Sequence, residues 1–402
     1  MKLNLLMTVS NLLLCSVFLS FMGCQKKSSD NTAPQASQSI TPPESTTPPT
    51  ASTTPSPSET PTSPSPSPNR YLYFSAGGCY AGGLATTRPT APSSSGLISR
   101  VNLANSQLQA VPIIDYLQFG LNLWPVGITN YDKDYLLANI MTSTAGFRID
   151  KIKKNSILEK TDYLVDLTNL NTALRSISKL SDGSILISRS TMIEKYNSSN
   201  SRVLNSLGNA SYINNPLDVC SNSKTIITSA LQLPNNQILF THAGGTTNNR
   251  LAIVDKDGYD STTDCKAAYT FTAADSSSTP ATIAVPTAAV LIPNTSPYQV
   301  IVATTATVAS HDQLWLFTIN PSTNAISFVK SLYNDGSFIK GATALAFDST
   351  DNSLFVANGS TSLGNSIEKL TYDSTNQSLV RTSTFLGLNF ETQCINSMFI
   401  DE

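Results

Sequence analysis

The feature that most constrains the fold of this chain is a local pattern that recurs along it. An apolar run is followed by a short polar turn and by a second, stronger apolar run, which is typical of a β-hairpin. A third run follows each hairpin, and usually a fourth. The hairpin copies are residues 126–140, 177–188, 230–242, 289–304 and 344–359. Because few stretches after Tyr71 have helical periodicity, the pattern predicts an all-β domain.

The spacing of these copies predicts the architecture. The second runs are centred near Leu137, Leu186, Leu239, Ile301 and Phe355, which gives a period of roughly 50 to 60 residues. Four strands at this period correspond to one blade of a β-propeller, with the remaining residues in loops. The repeats therefore predict five complete blades.

The two ends of the repeat region predict a sixth blade. Residues 70–78 have the pattern of a second strand, and residues 96–103 and 108–114 that of a third and a fourth, but no first strand precedes them. Residues 394–400 form a first strand that has no second. Pairing the two ends leaves no free sheet edge. We therefore predict a six-bladed β-propeller over residues 70–402, closed by the C-terminal strand.

The cysteines provide a test of this closure. Cys79 comes just after the second strand of the composite blade and Cys394 just before its first strand, and these two ends are neighbours in an antiparallel pair. The sequence thus predicts a Cys79–Cys394 disulfide. Four of the chain's six cysteines lie beyond Cys24, so Cys220–Cys265 follows by elimination, within or beside the fourth blade. Metal binding by the four cysteines is the alternative, but it lacks CxxC spacing.

The N-terminus has the pattern of an export signal. Lys2 precedes an apolar stretch over residues 5–22 that is too polar for a membrane span. Phe21-Met22-Gly23-Cys24 resembles the lipobox of bacterial lipoproteins, although Phe21 and Met22 depart from its usual residues. The resemblance implies that residues 1–23 are a signal peptide and that Cys24 is lipidated. An ordinary cleaved signal and an uncleaved anchor are the alternatives.

Residues 24–69 are expected to form a disordered tether. The segment holds eleven of the chain's 22 prolines, with mainly Ser, Thr, Ala, Gln and Glu around them, so it cannot bury enough apolar surface to fold. In the lipoprotein resemblance, Gln25 in place of Asp favours the outer membrane, with the domain facing either the periplasm or the cell surface. A mucin-like stalk of a secreted protein is the rival interpretation.

Residues 344–360, "ALAFDSTDNSLFVANGS", resemble repeats of the lactonase-like and NHL-type propeller families. The lactonase-like resemblance implies a divalent metal in the central channel, held by acidic and Asn side chains of the inner strands, which would polarise a lactone carbonyl. The inner strands here offer only Asn130 and Asp348, both at strand ends beside turns. A metal-dependent lactone or ester hydrolase is therefore kept as the alternative function.

Other candidate site residues are few. The spacing of Asp255, Asp257, Asp260 and Asp264 loosely resembles a calcium-binding loop. A hairpin turn at residues 256–258 accounts for the same residues more simply. No cofactor is therefore predicted, and calcium is the alternative. The two histidines, His242 and His311, are expected to be polar residues of blade edges and loops. Ser310, His311 and Asp312 cannot form a catalytic triad, because neighbouring side chains in an extended segment point to opposite faces.

These observations favour a binding function over catalysis. Charged residues are 13% of the chain and its net charge is −2, which argues against a nucleic-acid partner. We expect a lipid-anchored binding module for a protein, peptide or glycan in the cell envelope; a scaffold subunit of an outer-membrane assembly complex is a further alternative. The long loops are the expected contacts. They span Gly77–Ser95, Gly244–Asn249, Ala274–Pro280 and Ala306–His311.

Overall fold

Each copy of the sequence repeat forms an antiparallel sheet in the computed structural model. The residues that the structure describes are 70–77, 96–105, 108–119, 123–142, 147–166, 174–189, 192–203, 220, 226–243, 249–255, 265–271, 284–306, 313–333, 338–339, 341–358, 365–388 and 394–401. They fall within one compact unit, Pro66–Glu402. The predicted signal peptide and tether lie outside the described residues.

Within the described ranges the strands form six four-stranded sheets, each of which is a blade. Blade 1 contains β1 (Tyr71–Gly77), β2 (Leu97–Asn102), β3 (Val111–Asp115) and the C-terminal strand β24 (Cys394–Asp401); blade 2 contains β4 (Leu123–Asn130), β5 (Tyr135–Thr142), β6 (Phe147–Lys153) and β7 (Lys160–Asp166); blade 3 contains β8 (Leu174–Lys179), β9 (Ile185–Arg189), β10 (Met192–Tyr196) and β11 (Arg202–Val203). Blade 4 contains β12 (Ile226–Gln232), β13 (Ile238–Ala243), β14 (Arg250–Val254) and β15 (Cys265–Thr270); blade 5 contains β16 (Ala284–Ile292), β17 (Tyr298–Ala306), β18 (Gln313–Ile319) and β19 (Ile326–Tyr333); blade 6 contains β20 (Ala342–Asp348), β21 (Ser353–Asn358), β22 (Asn365–Asp373) and β23 (Ser378–Leu388). A 3-10 turn, Tyr116–Phe119, follows β3.

The predicted closure of the ring is confirmed. Strand β24 is the innermost strand of blade 1 and pairs antiparallel with β1, from Tyr71 opposite Asp401 to Gly77 opposite Cys394. The order β24-β1-β2-β3 is the order predicted for the composite blade. The fold is therefore a six-bladed β-propeller that joins the first and last described strands of the chain.

The second strand of a blade is its most deeply buried strand, as the long apolar runs at these positions predict. Strand β21 is buried at all of its positions, and so is β13. The core lies between neighbouring blades: Phe355 of blade 6, for example, packs in one cluster with Phe74 and Ile395 of blade 1. Two-sided burial of this kind explains why these runs read as nearly continuous apolar segments.

Asparagine occupies several of the turns that join paired strands. Asn236, Asn294, Asn324 and Asn352 each have a positive φ between 54° and 67°, a left-handed conformation that Asn adopts more readily than most residues. The polar turns predicted between apolar runs are thus real chain reversals. These turns connect the first strand of a blade to its second, or the third to its fourth. They therefore lie at the same end of the ring, which we call the hairpin face.

Candidate functional site

The six innermost strands enclose a central channel with a volume of about 380 Å³. Strands β24, β4, β8, β12, β16 and β20 line it in ring order. Hydroxyl and amide side chains alternate with aliphatic ones along the wall; the polar ones are Thr129, Ser176, Ser178, Thr228, Ser229, Gln232, Thr287, Thr343, Asn396 and Ser397. The channel therefore offers many neutral hydrogen-bonding groups.

Every innermost strand contains a β-bulge at an equivalent place, where one or two residues have no partner in the second strand. The residues skipped in the register are Val126 in β4, Arg175 and Ser176 in β8, Thr228 in β12, Thr287 in β16, Thr343 in β20 and Asn396 in β24. Bulges bend a strand and turn its side chains in a new direction. At Thr228, Thr287, Thr343 and Asn396 the skipped side chain reaches the next blade.

Four of these side chains make the same hydrogen bond, which we call a blade clip. Each donates to the backbone carbonyl that directly precedes the bulge of the following blade. The clips are Thr228 Oγ1 to Pro286 O (3.0 Å), Thr287 Oγ1 to Ala342 O (2.6 Å), Thr343 Oγ1 to Ile395 O, and Asn396 Nδ2 to Pro125 O (3.4 Å). They link blades 4, 5, 6, 1 and 2 in sequence around the channel.

The series of clips is interrupted between blades 2 and 3. Val126 occupies the equivalent position of blade 2 and has no donor to offer. In blade 3 the bulge is two residues long, and it contains Arg175. The link from blade 3 to blade 4 is made instead by Ser178, whose hydroxyl donates to Ala230 O. Arg175 thus stands where the regular pattern is broken.

Among the described residues that line the channel, Arg175 is the only charged one. It is 9% exposed, so its charge acts in surroundings with less screening than bulk water provides. A guanidinium presents five N–H donors in a fixed planar arrangement that fits a carboxylate or phosphate. The channel can therefore attract a ligand that carries an acid group and can hydrogen-bond its neutral polar groups.

Second strands support the bulges with buried polar side chains. Gly127 N donates to Asn139 Oδ1, Ser176 N donates to Ser188 Oγ (2.8 Å), and Thr241 Oγ1 lies 2.7 Å from Thr228 Oγ1. The close approach requires glycine in blade 2, because a Cβ on Gly127 would lie 2.9 Å from Asn139 Oδ1. These contacts fix the shape of the channel wall.

The inner-strand metal candidates are engaged by cations. Arg70 Nη1 lies 2.6 Å from both carboxylate oxygens of Asp348, and Lys154 Nζ donates to Asn130 Oδ1 across 2.7 Å. Neither Asn130 nor Asp348 is part of the channel lining. The structure therefore does not bring these two residues together as a metal site.

The calcium-loop candidates are only partly described. Asp255 forms an ion pair with Lys266, at 3.1 Å between Oδ2 and Nζ, while Asp257, Asp260 and Asp264 lie outside the described residues. Among the residues that the structure describes, no group of three or more His, Cys, Asp or Glu side chains is close enough to hold a metal ion.

His242 differs from its predicted place at a blade edge or loop. It lies within β13, is fully buried, and stacks on Phe240 with ring centroids 5.6 Å apart. Neither ring nitrogen has a hydrogen-bond partner among the residues that the structure describes. Burial, with a smaller contribution from the charge of Arg250, lowers the pKa of His242 to about 3, so the imidazole is neutral. His311 lies outside the described residues.

The Cys220–Cys265 disulfide is present, with an S–S distance of 2.04 Å. It joins the segment before blade 4 to the first residue of β15, as elimination predicted. Cys394 is also disulfide-bonded, but its predicted partner, Cys79, lies outside the described residues, so that pairing stays a prediction.

Buried carboxylates occur in the third strands, away from the channel lining. Asp150 accepts hydrogen bonds from Arg148 (2.8 Å) and from the hydroxyl of Tyr116 (3.0 Å); burial, together with this carboxylate, raises the pKa of Tyr116. Glu194 and Glu368 occupy the equivalent places in blades 3 and 6, where they pair with Arg189 and Arg381 respectively. The Arg189–Glu194 and Arg381–Glu368 pairs each join two neighbouring strands of one blade.

Sequence reasoning missed Arg175. An alignment of the five hairpin repeats at their bulged positions would have revealed it, because the other four copies place Val or Thr there and the composite blade places Asn there. A charged residue in one copy of a repeat whose other copies are neutral indicates a local role. The hydrophobic pattern of the sequence does not show where the bulges lie, so it does not show which positions to align.

Cys24 lies outside the described residues, so its lipidation stays a prediction. No helix within the described ranges is long and apolar enough to cross a membrane.

Comparisons with known proteins give structural neighbours only. No protein-family model matches the chain, and no curated protein matches its sequence. Similar solved structures include a putative 6-phosphogluconolactonase from Bacteroides fragilis (11% identity, TM-score 0.48, covering 85% of this chain and 100% of that chain), a putative 6-phosphogluconolactonase from Bacteroides uniformis (12%, 0.49, 80% and 84%) and the periplasmic gluconolactonase of Pseudomonas aeruginosa (9%, 0.49, 82% and 99%). Lactonases are thus among its structural neighbours, but at such identities, and with TM-scores below 0.5, the likeness assigns no activity to this chain.

Proposed function

We propose that this protein is a cell-envelope binding module whose central channel takes a ligand rich in hydroxyl groups and bearing an acid group, such as the end of an acidic glycan. The observation that carries the proposal is the single charge of Arg175 in a wall of neutral hydroxyl and amide groups. A volume of about 380 Å³ lies within the usual range of ligand pockets, roughly 300 to 1,000 Å³.

The chemistry of the wall matches such a ligand. A guanidinium in surroundings of low polarity forms strong charge-assisted hydrogen bonds with a carboxylate. Hydroxyl side chains such as Thr129 and Ser229 can both donate to and accept from sugar hydroxyls. The aliphatic residues between them, for example Ala230, would pack against the apolar faces of a sugar ring.

The attachment of this module follows from the sequence alone. Lipidation of Cys24 and an extended tether over residues 25–69 would hold the propeller at the membrane while leaving the channel free to reach its ligand. A Cys24→Ser variant is expected to leave the membrane fraction, and a fatty-acid label is expected on the wild-type protein only. Retention of the variant in the membrane would exclude the lipid anchor.

The binding proposal is tested with two matched probes. Trigalacturonate and its methyl ester share the same sugar rings and differ in the charge of the carboxyl groups. Calorimetric titration of the full-length protein should detect trigalacturonate more strongly than the ester. Arg175→Gln should weaken trigalacturonate binding by about tenfold or more, whereas Lys133→Gln, which removes an 89% exposed charge on a hairpin turn, should leave it unchanged.

A channel variant completes the design. Ser229→Trp places a large ring in the lining and should abolish binding of both sugars. Trigalacturonate binding that is unchanged in Arg175→Gln but lost in Ser229→Trp would keep the channel as the site and remove the role of Arg175. Binding that is unchanged in Ser229→Trp would refute the channel as the ligand site. Turnover of a lactone in the presence of divalent ions would favour the hydrolase alternative.

A further inference from the structure

A second group of cationic and aromatic side chains lies between blades 2 and 3, outside the channel. Lys151 Nζ is 4.6 Å from the ring centroid of Tyr131 and 4.3 Å from that of Tyr135. Lys179 Nζ is 5.2 Å from the same Tyr131 ring, and it donates to Tyr131 O. The edge of Tyr163 packs on Tyr131 at 5.6 Å. We call these five residues the tyrosine–lysine notch.

The two ammonium groups of the notch have no carboxylate partner within 4.0 Å among the described residues. Most of the described lysines do have one: Lys153 pairs with Glu159, Lys154 with Asp401 and Lys369 with Asp351. The notch therefore concentrates two uncompensated positive charges around one aromatic ring, in a chain whose lysines are otherwise largely paired.

Aromatic rings hold these charges in place. An ammonium within about 6 Å of a ring centroid is attracted to the electron-rich face of the ring. Both ammonium groups are held in this way by Tyr131, so part of the entropy cost of fixing them is met before any ligand arrives. An anionic group beside either ammonium can accept charge-assisted hydrogen bonds from it, and the second positive charge nearby adds to the attraction.

A shallow cavity of about 120 Å³ gives access to Lys151, and Tyr135, Glu159, Lys160 and Thr161 line it as well. Glu159 is occupied by Lys153, with Nζ 3.2 Å from both of its carboxylate oxygens. Lys160 is paired with buried Asp150 at 3.3 Å. Lys151 is thus the cation of this cavity that remains available to a ligand.

The notch is separate from the channel but close to one of its ends. None of its five residues lines the channel, whereas Ser178, which directly precedes Lys179, does. Because β4 ends at Asn130 and β8 at Lys179, the notch lies beside the channel mouth on the hairpin face. A ligand could occupy it without entering the channel.

We propose that the tyrosine–lysine notch binds an acid group of an anionic oligosaccharide, as a site additional to the channel. Lys179 is exposed, but Lys151 and the three tyrosine rings are only partly exposed. A flat lipid surface reaches exposed side chains, whereas a sulfate or carboxylate that projects from a flexible sugar chain can enter the recess beside Lys151. Tyrosine rings, with an apolar face and a hydroxyl, suit sugar rings as neighbours.

The test uses the full-length protein with dextran sulfate oligosaccharide and with uncharged dextran of the same length, at physiological ionic strength. Dextran sulfate should bind, and dextran should not. The double variant Lys151→Gln with Lys179→Gln should lose about tenfold or more in affinity for dextran sulfate. The matched control is Lys330→Gln, because Lys330 of blade 5 also has no carboxylate partner among the described residues and instead donates to Asn376 O.

Two further variants separate charge from packing and the notch from the channel. Tyr131→Leu removes the ring that gathers the ammonium groups and should weaken binding while both charges remain. Arg175→Gln should not affect dextran sulfate binding at the notch, so the notch and the channel can fail independently. Thermal unfolding of each variant shows whether the fold is kept, and Lys179→Gln alone, at an exposed position, preserves the test if the double variant does not fold.

Three results would overturn the proposal. An equal loss in Lys330→Gln would mean that general surface charge binds the probe. Absence of dextran sulfate binding by the wild-type protein would remove the site. Binding to polyglutamate or to vesicles containing an anionic lipid, without binding to dextran sulfate, would assign the notch to an acidic peptide or a membrane surface instead.

Discussion

Lys154 Nζ lies 2.7 Å from Asp401 Oδ1, joining residues that are 247 positions apart in the chain. The same ammonium donates to Asn130 Oδ1 and to Asp132 O, both at 2.7 Å, so its three protons are all used. Lys154 is 1% exposed. The last described residue of the C-terminal strand is thus tied to blade 2 by a buried charge, while Arg70 and Asp348 tie the start of the same composite blade to blade 6.

Loss of the Asp401 carboxylate should weaken the closure of the ring. Asp401→Asn leaves the buried ammonium of Lys154 without its counter-charge, and breaking a buried pair on one side typically costs about 3 kcal/mol or more. Because Asp401 is itself 21% exposed, we expect about 2 kcal/mol in the free energy of unfolding, measured by urea denaturation. Adding Lys154→Met to this variant should recover part of the loss.

The corresponding control is an exposed pair. Lys153 and Glu159 are each more than 40% exposed and lie 3.2 Å apart, so Glu159→Gln should lower stability much less than Asp401→Asn does, because solvent screens an exposed pair. An Asp401→Asn variant no less stable than this control would show that the buried pair does not secure the closure.

The interrupted series of blade clips predicts a stabilising substitution. Val126 is 1% exposed and stands where Thr287 and Thr343 donate to the next blade. Val126→Thr keeps the shape of the side chain and adds a donor, so it should raise the free energy of unfolding by about 0.5 to 1.5 kcal/mol. Thr287→Val, which removes a clip, should lower it by about 1 to 3 kcal/mol because Ala342 O loses its partner. If Val126→Thr instead destabilises the protein, the new hydroxyl has found no acceptor in blade 3.

His242 predicts how stability depends on pH. Its folded pKa of about 3 is below its unfolded value of about 6.5, so the unfolded chain binds the proton more readily. Stability contributed by neutral His242 is present above pH 6.5 and falls by about 1.4 kcal/mol per pH unit as the pH decreases towards 3.

The measurement is urea unfolding between pH 5 and 8, where most carboxylates stay ionised. His242→Leu removes the titrating group and two buried nitrogens that lack partners, and should therefore flatten the decline below pH 6.5. His311→Asn changes the only other histidine of the chain and is the control. A decline that is the same in wild type and His242→Leu would contradict the assignment.

The disulfides predict a reduction-sensitive domain. Cys220 and Cys265 are 45 positions apart, and loops of this size are stabilised by about 2 to 4 kcal/mol on closure. The double variant with alanine at both positions should lose free energy of unfolding by this amount and should therefore unfold at a lower temperature. A peptide map of the unreduced protein should contain two linkages, Cys220 with Cys265 and Cys79 with Cys394; any other pairing of Cys394 would show that the second disulfide was predicted wrongly.

The sequence by itself determined the number of blades and the closure of the ring. Both depend on local patterns: alternating apolar residues that form strands, polar turns such as the one at Asn352, and a repeat of roughly constant length. A first strand without a second at Cys394–Asp401 and a second strand without a first at Tyr71–Gly77 leave one arrangement that pairs both, which the structure confirms.

The tertiary structure alone decided where the polar residues act. Arg175 belongs to the channel lining and lies in a two-residue bulge, and a bulge depends on how two strands pair rather than on either strand alone. The contact of Lys154 with Asp401, the clips between blades and the burial of His242 likewise require strands from distant parts of the chain to be in place. Hydrophobic periodicity records which residues are buried together, but it carries no information about which polar atoms meet across blades.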